Sequence, residues 1–171
     1  MPKGVTNAAK ASYRGGKWNV NYLRFLTDFM DELKLPMATI AETAGLTRQT
    51  IYYWLTKDDA KLSSVLNLFD SFEYDLIFDL VKSRPQGEAD VDIFVRREKG
   101  TKRLSFLDDC LRRYKVNRAQ MLRDMQLSHA TLGTWLKADD IFISYIYRIA
   151  ETCGLTVKIT IRPKETGIPQ A

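Results

Sequence analysis

The sequence has one histidine and two cysteines among 171 residues. That stock supports neither a disulfide framework nor a zinc-type His/Cys cluster. His129 has no evident partners for a metal or a catalytic triad. No glycine-rich phosphate loop and no nucleophile motif is present, so a non-enzymatic chain without cofactor or metal is expected. No apolar run approaches the ~20 residues that span a bilayer. The N-terminus carries basic residues but no apolar core of a secretory signal. The expectation is a cytoplasmic protein with no membrane partner.

What is present is a moderately basic, ordinary globular composition. The formal net charge is +5, with 45% hydrophobic and 27% charged residues. The charge is uneven. Residues 1–18 carry four basic residues and no acid; residues 19–82 carry six basic and ten acidic; residues 104–171 carry ten basic and seven acidic. A basic balance is compatible with nucleic acid, and equally with a solubility charge.

The organising stretch is Gly45-Leu46-Thr47-Arg48-Gln49-Thr50-Ile51-Tyr52-Tyr53-Trp54-Leu55. Gly45 can end one helix in a left-handed turn, and Thr47 can cap the next. Ile51, Trp54 and Leu55 then share one face, leaving Arg48, Gln49, Tyr52 and Tyr53 outside. Two short helices with a glycine turn form a helix-turn-helix, whose second helix can enter the major groove.

The rest of the chain follows in order. Residues 1–17 read as a flexible basic arm, in which Arg14 and Lys17 can follow phosphates or enter a minor groove. Incidental lysines on a loose terminus would look the same. A helix is expected over Trp18–Lys34, closed by Pro36. Met37–Ala44 and Arg48–Thr56 are the helix-turn-helix pair, and Leu62–Phe72 is a fourth helix, with Asp59 able to cap its start. The period then becomes 2: Tyr74–Val81 reads as a strand, and Val91–Arg97 as a second strand of a hairpin across 83–100.

The most informative feature is an internal repeat. Trp54-Leu55 recurs as Trp135-Leu136, 81 residues on (135 − 54). With that offset and no gap, Leu23–Leu80 lies on Leu104–Ile161. Leu26/Leu107, Thr50/Thr131, Asp58/Asp139, Asp59/Asp140 and Ser63/Ser144 are among the identical pairs. Leu155–Arg162 then matches Tyr74–Val81 in parity, so both halves end in a strand. The layout is an arm (1–17), a first domain (18–82), a hairpin or linker (83–100), a second domain (101–162) and a tail (163–171). Buried backbone must be hydrogen-bonded, so the two terminal strands are expected to share one antiparallel sheet; the alternative is two independent units joined by the 83–100 linker. Cys110 and Cys153 match Phe29 and Phe72 and are expected as buried, reduced core thiols. Trp54 and Trp135 are expected in the core. The Asp58-Asp59 and Asp139-Asp140 pairs suit helix capping better than metal or acid–base chemistry.

Each half resembles a lambda-repressor-like (Cro/XRE-type) helix-turn-helix domain. Ala41, Gly45, Ile51 and Trp54 fall where that motif wants a small residue, the turn glycine and two core residues. The resemblance covers about 58 residues per half. It implies a mainly α fold with a small β-sheet, in two tandem domains arranged as an intramolecular pseudo-dimer. It also implies base contacts from Arg48, Gln49 and Tyr53, with Thr47 and Thr50 near phosphate or base. In the second half the matching residues are His129, Ala130 and Thr134, beside Ser128 and Thr131, with Ser128 in the capping place of Thr47. Arg118 stands at the start of the second helix, where the family often grips phosphate. The second half departs from the pattern: Leu122 replaces Ala41, Gln126 replaces Gly45, and Gly133 lies inside the recognition helix. The expected function is sequence-specific binding of double-stranded DNA by a transcriptional regulator of bacterial or phage type, monomeric as a pseudo-dimer or paired as a homodimer. Two alternatives stay open. One is an antitoxin-like regulator that binds a toxin and its own operator; the other is a helix-turn-helix fold used for protein–protein assembly.

Overall fold

The structure, a computed structural model, describes residues 21–82 and 101–165 in full, together with the backbone of three short strands before them. Those strands are β1 (Val5–Ala8), β2 (Ser12–Arg14) and β3 (Lys17–Asn19). The first half continues as α1 (Arg24–Leu33), α2 (Met37–Thr43), α3 (Arg48–Lys57), α4 (Leu62–Ser71) and β4 (Tyr74–Val81). The second half repeats the order as α5 (Ser105–Arg113), α6 (Arg118–Asp124), α7 (Thr131–Ala138), α8 (Ile143–Cys153) and β5 (Thr156–Pro163). The fold is thus mainly helical with a small antiparallel sheet. The expected hairpin strand Val91–Arg97 lies outside the described residues.

The backbone repeats as the sequence does. Eight described residues have positive φ, and they form four pairs 81 apart: Lys34/Lys115, Gly45/Gln126, Asp58/Asp139 and Glu73/Gly154. A left-handed residue costs a non-glycine side chain about 1–2 kcal/mol. Chain reversals that persist at such positions whether or not glycine is present are set by the fold, not by local propensity.

The two terminal strands pair as expected. β4 and β5 run antiparallel in an unbroken register from Tyr74↔Pro163 to Val81↔Thr156. Leu76, Phe78 and Leu80 lie opposite Ile161, Ile159 and Val157, and all six are buried on the face the helices cover. Alternating burial along both strands follows from their period of 2. Phe78 meets Phe25 edge-on at 5.5 Å and Phe106 of the other half at 6.3 Å, so one core serves both halves.

The N-terminal segment differs from expectation. β1 pairs antiparallel with β5, from Val5↔Ile161 to Ala8↔Lys158, giving the strand order β1-β5-β4. β2 and β3 pair with each other. The arm is therefore in part strand, and Trp18 belongs to β3 instead of the first helix. α1 starts only at Arg24 because the Asp58 carboxylate, arriving from the end of α3, accepts from the backbone N–H of Tyr22 (2.9 Å) and Leu23 (3.1 Å). Asp139 does the same for Arg103 and Leu104 at the start of α5.

The second aspartate of each pair corrects the sequence reading. Asp59 does not cap α4, its own next helix. Its carboxylate accepts from the backbone N–H (2.9 Å) and the hydroxyl (2.6 Å) of Ser144, at the start of α8. Asp140 returns the arrangement, accepting from Ser63 N–H (3.0 Å) and hydroxyl (2.6 Å) at the start of α4. Beside them Leu62 N–H donates to the Ile141 carbonyl, and Ile143 N–H to the Ala60 carbonyl. Each half thus caps the last helix of the other.

Candidate nucleic-acid interface

The α2–α3 turn and its counterpart share one hydrogen-bond pattern. Leu46 N–H donates to the Ala41 carbonyl and Gly45 N–H to that of Glu42; 81 residues on, Leu127 donates to Leu122 and Gln126 to Arg123. Gly45 and Gln126 both take left-handed φ, +69° and +58°. The missing turn glycine has not changed the turn. Ala41 and Leu122 are both buried, so the larger side chain is accommodated.

The two following helices differ at their first turns. Thr47 caps α3, its hydroxyl accepting from Thr50 N–H at 3.1 Å and bonding the Thr50 hydroxyl at 2.9 Å. Ile51 and Trp54 are buried beneath. Arg48 and Gln49 are exposed, Tyr52 and Tyr53 more than half so, and Lys57 Nζ stands 5.9 Å from the centre of the Tyr53 ring. Arg48, Gln49 and Tyr53 thus form a contiguous polar surface over about one and a half helical turns, on a helix anchored by a buried tryptophan.

In the second half the helix begins later. α7 starts at Thr131, and Ser128 does not act as its cap: its hydroxyl accepts from Ala130 N–H at 3.1 Å, shaping the turn before the helix. The reason is local. Ala130 takes a helical backbone conformation but offers no side-chain cap, and Gly133 weakens the first turn. His129, Ala130 and Thr134 are exposed and Thr131 half-buried. The Thr134 hydroxyl donates to the Ala130 carbonyl. The surface offers little beyond His129 for long-range contact. Trp135, unlike Trp54, is only half-buried and packs against Tyr145 with ring centres 5.0 Å apart.

Arg118 is engaged. Its guanidinium donates to Asp108 at 2.7 Å, and Arg112 reaches the other oxygen of the same carboxylate at 2.7 Å. The Arg118 hydrogen bond holds the Asp108 carboxyl below its usual range. In the first half Thr27 and Met37 occupy these two places, so acid and base are present together in one half only. Around this pair the second half is strongly basic where the first is acidic. Asp31, Glu32 and Glu42 correspond to Arg112, Arg113 and Arg123, all six exposed. The reversal was readable at the 81-residue offset, but the motif positions alone do not reveal it. Arg14 and Lys17 are register partners across β2 and β3, and their side chains lie outside the described residues.

Among the described residues no group of three or more His, Cys, Asp or Glu is gathered for a metal, and no helix is long and apolar enough to cross a membrane. Cys110 is buried, and Cys153 is half-buried against expectation; both are free thiols. Burial pushes the Cys110 thiol up to about 12 and raises that of Cys153. Comparison with protein-family models, curated proteins and solved structures returned no match.

Proposed function

We propose that this chain is a sequence-specific double-stranded DNA-binding protein, a transcriptional regulator of bacterial or phage type. In this reading it is a repressor-like pseudo-dimer made from one chain. The observation that carries it is the exposed Arg48-Gln49-Tyr53 surface on a rigidly seated helix that follows a tight turn. Arg can bond guanine with two donors and Gln can bond adenine; each good pair is worth roughly 1–3 kcal/mol of discrimination.

The pseudo-dimer reading rests on the reciprocal contacts. A twofold axis that exchanges residues 81 apart requires some of them to pair with their own counterparts. Lys61↔Phe142 and Phe78↔Ile159 are two such pairs (142 − 61 and 159 − 78 are both 81). The exchanged caps Asp59–Ser144 and Asp140–Ser63 flank the first. One axis through both pairs gives each half the same neighbourhood. Its two reading helices would suit successive major grooves, about 34 Å apart. The first half would read bases and the second, basic and short in its side chains, would hold backbone. The site would then be asymmetric.

Selection of bound duplexes from a random pool tests the reading. A motif recovered at low salt, with affinity falling as salt rises, is expected. Failure to retain any duplex over random competitor at low salt would reject it. The acidic surface of Asp31, Glu32 and Glu42 favours one second reading, a helical fold used for protein contact. That reading predicts salt-independent behaviour toward DNA and a retained protein partner.

A further inference from the structure

The pseudo-twofold relation creates two comparable crevices, where the start of one half's first helix meets the last helix of the other half. In one crevice Tyr22 packs against Tyr147, with ring centres 5.2 Å apart. Their counterparts 81 residues away are Arg103 and Leu66. There no aromatic pair forms, and a groove of about 400 Å³ remains, lined by both halves. A volume of that order is within the range of small-molecule sites, roughly 300–1,000 Å³.

The lining is chemically specific. Arg103, Arg162 and Lys164 supply three positive charges, and Asp70, Asp75 and Glu165 three negative ones. Lys164 Nζ stands 2.9 Å from Asp70 and Arg162 Nε 3.6 Å from Asp75. Arg103 Nε donates to the Asp139 carbonyl, which fixes the side chain at the rim. Leu66 adds an apolar wall. A net anion would meet as many carboxylates as cations, and a net cation as many cations as carboxylates. A ligand carrying both charges can exchange partners with the existing pairs and leave the balance intact.

We propose that this groove binds a small zwitterion of the α-amino-acid class, its carboxylate toward the Arg103 and Arg162 guanidinium groups and its ammonium toward Asp70 and Asp75. The site does not depend on DNA binding, since it is built from the junction of the halves alone.

The test uses the full chain without DNA. Each of the common α-amino acids is added at millimolar concentration, and backbone amide resonances and heats of binding are recorded. At least one should shift the amides of Asn67, Ile77 and Lys164 while leaving those of Tyr22 and Tyr147 in place. Leu66→Tyr with Arg103→Tyr, which copies the aromatic pair of the other crevice, should weaken binding about tenfold or more, a loss of about 1.4 kcal/mol. Asp75→Asn with Arg162→Gln, which keeps the net charge, should do the same without filling the space. N-acetyl amino-acid amides, which lack both charges, should not bind. The proposal is overturned if no amino acid shifts these amides, if both double variants bind as wild type, or if the blocked derivatives bind as well as the free ones.

Discussion

The two halves share a backbone and differ in almost everything a ligand would feel. The same four left-handed positions, the same turn bonds and the same exchanged caps recur 81 residues apart. Yet the first half packs Phe29, Phe69, Phe72 and Tyr74 into an aromatic cluster, Phe29 and Phe69 stacked at 4.2 Å. The second half has Cys110, Ala150, Cys153 and Leu155 in those places. It regains volume nearer α6, where Leu122 and Met125 stand for Ala41 and Ala44. Cores tolerate such redistribution when total volume and pattern are kept. Surface charge reverses as well, at Asp31/Arg112, Glu32/Arg113 and Glu42/Arg123. Packing at the shared interface preserves the architecture, and the outward surfaces are free to diverge.

The largest expected difference between halves is at the tryptophans. Trp54 is 8% exposed, so Trp54→Ala should cost about 3–5 kcal/mol, as a truncated core aromatic does. Half-buried Trp135→Ala should cost clearly less. Equal losses in urea denaturation would break the contrast.

The exchanged caps should instead behave alike. Asp59→Ala and Asp140→Ala should each cost about 1–2 kcal/mol, through a lost cap and an unsatisfied serine. A large loss for one and none for the other would show that the reciprocity is only geometric.

The turn residues sharpen the comparison further. Gln126→Gly should stabilise by about 1 kcal/mol and Gly45→Gln should destabilise by a similar amount, because both positions have φ near +60°. Opposite signs of the shift in denaturation midpoint are the expected result.

The last effect is absent at neutral pH and appears only in alkali. Burial raises the folded Cys110 pKa to about 12, above the unfolded thiol's value near 8.5. The folded chain then holds the proton more tightly than the unfolded one. Its contribution is fully present below about pH 8.5 and is lost as pH rises toward 12. Cys110→Ala should reduce the alkaline slope, to which Cys153 with its raised pKa also contributes, as read from stability at successive pH values, and Cys110 should react with a bulky thiol reagent more slowly than Cys153.

Periodicity made the local elements legible. Tyr74–Val81 was bounded to the residue, and the parity of Leu76, Phe78 and Leu80 against Val157, Ile159 and Ile161 predicted both burial and pairing. The repeat carried the parity to the second half but set the strand one residue early, as Leu155–Arg162 against the observed Thr156–Pro163. What escaped was set by distant partners. Asp59 has the chemistry of a cap, but only the fold decides that it serves Ser144 and not α4. Trp18 fits the apolar stripe of α1, yet the helix begins where Asp58 reaches Tyr22 and Leu23. Ser128 escaped for a local reason: it copies the position of Thr47 but lies before a helix whose first turn is weakened by Gly133. Among the candidate contacts, the exposure of Arg48, Gln49 and Tyr53 followed from spacing, whereas the Arg118–Asp108 pair is a contact made between α5 and α6 only in the fold.

The central claim is that one half reads DNA and the other holds it. It is tested most directly by repeating the duplex selection with Arg48→Ala and with Arg118→Ala. The account predicts that Arg48→Ala relaxes the recovered motif at one or two base pairs on one side of an asymmetric site. Arg118→Ala should weaken binding to all sequences alike while leaving the motif intact. An unchanged motif and affinity with Arg48→Ala would contradict it.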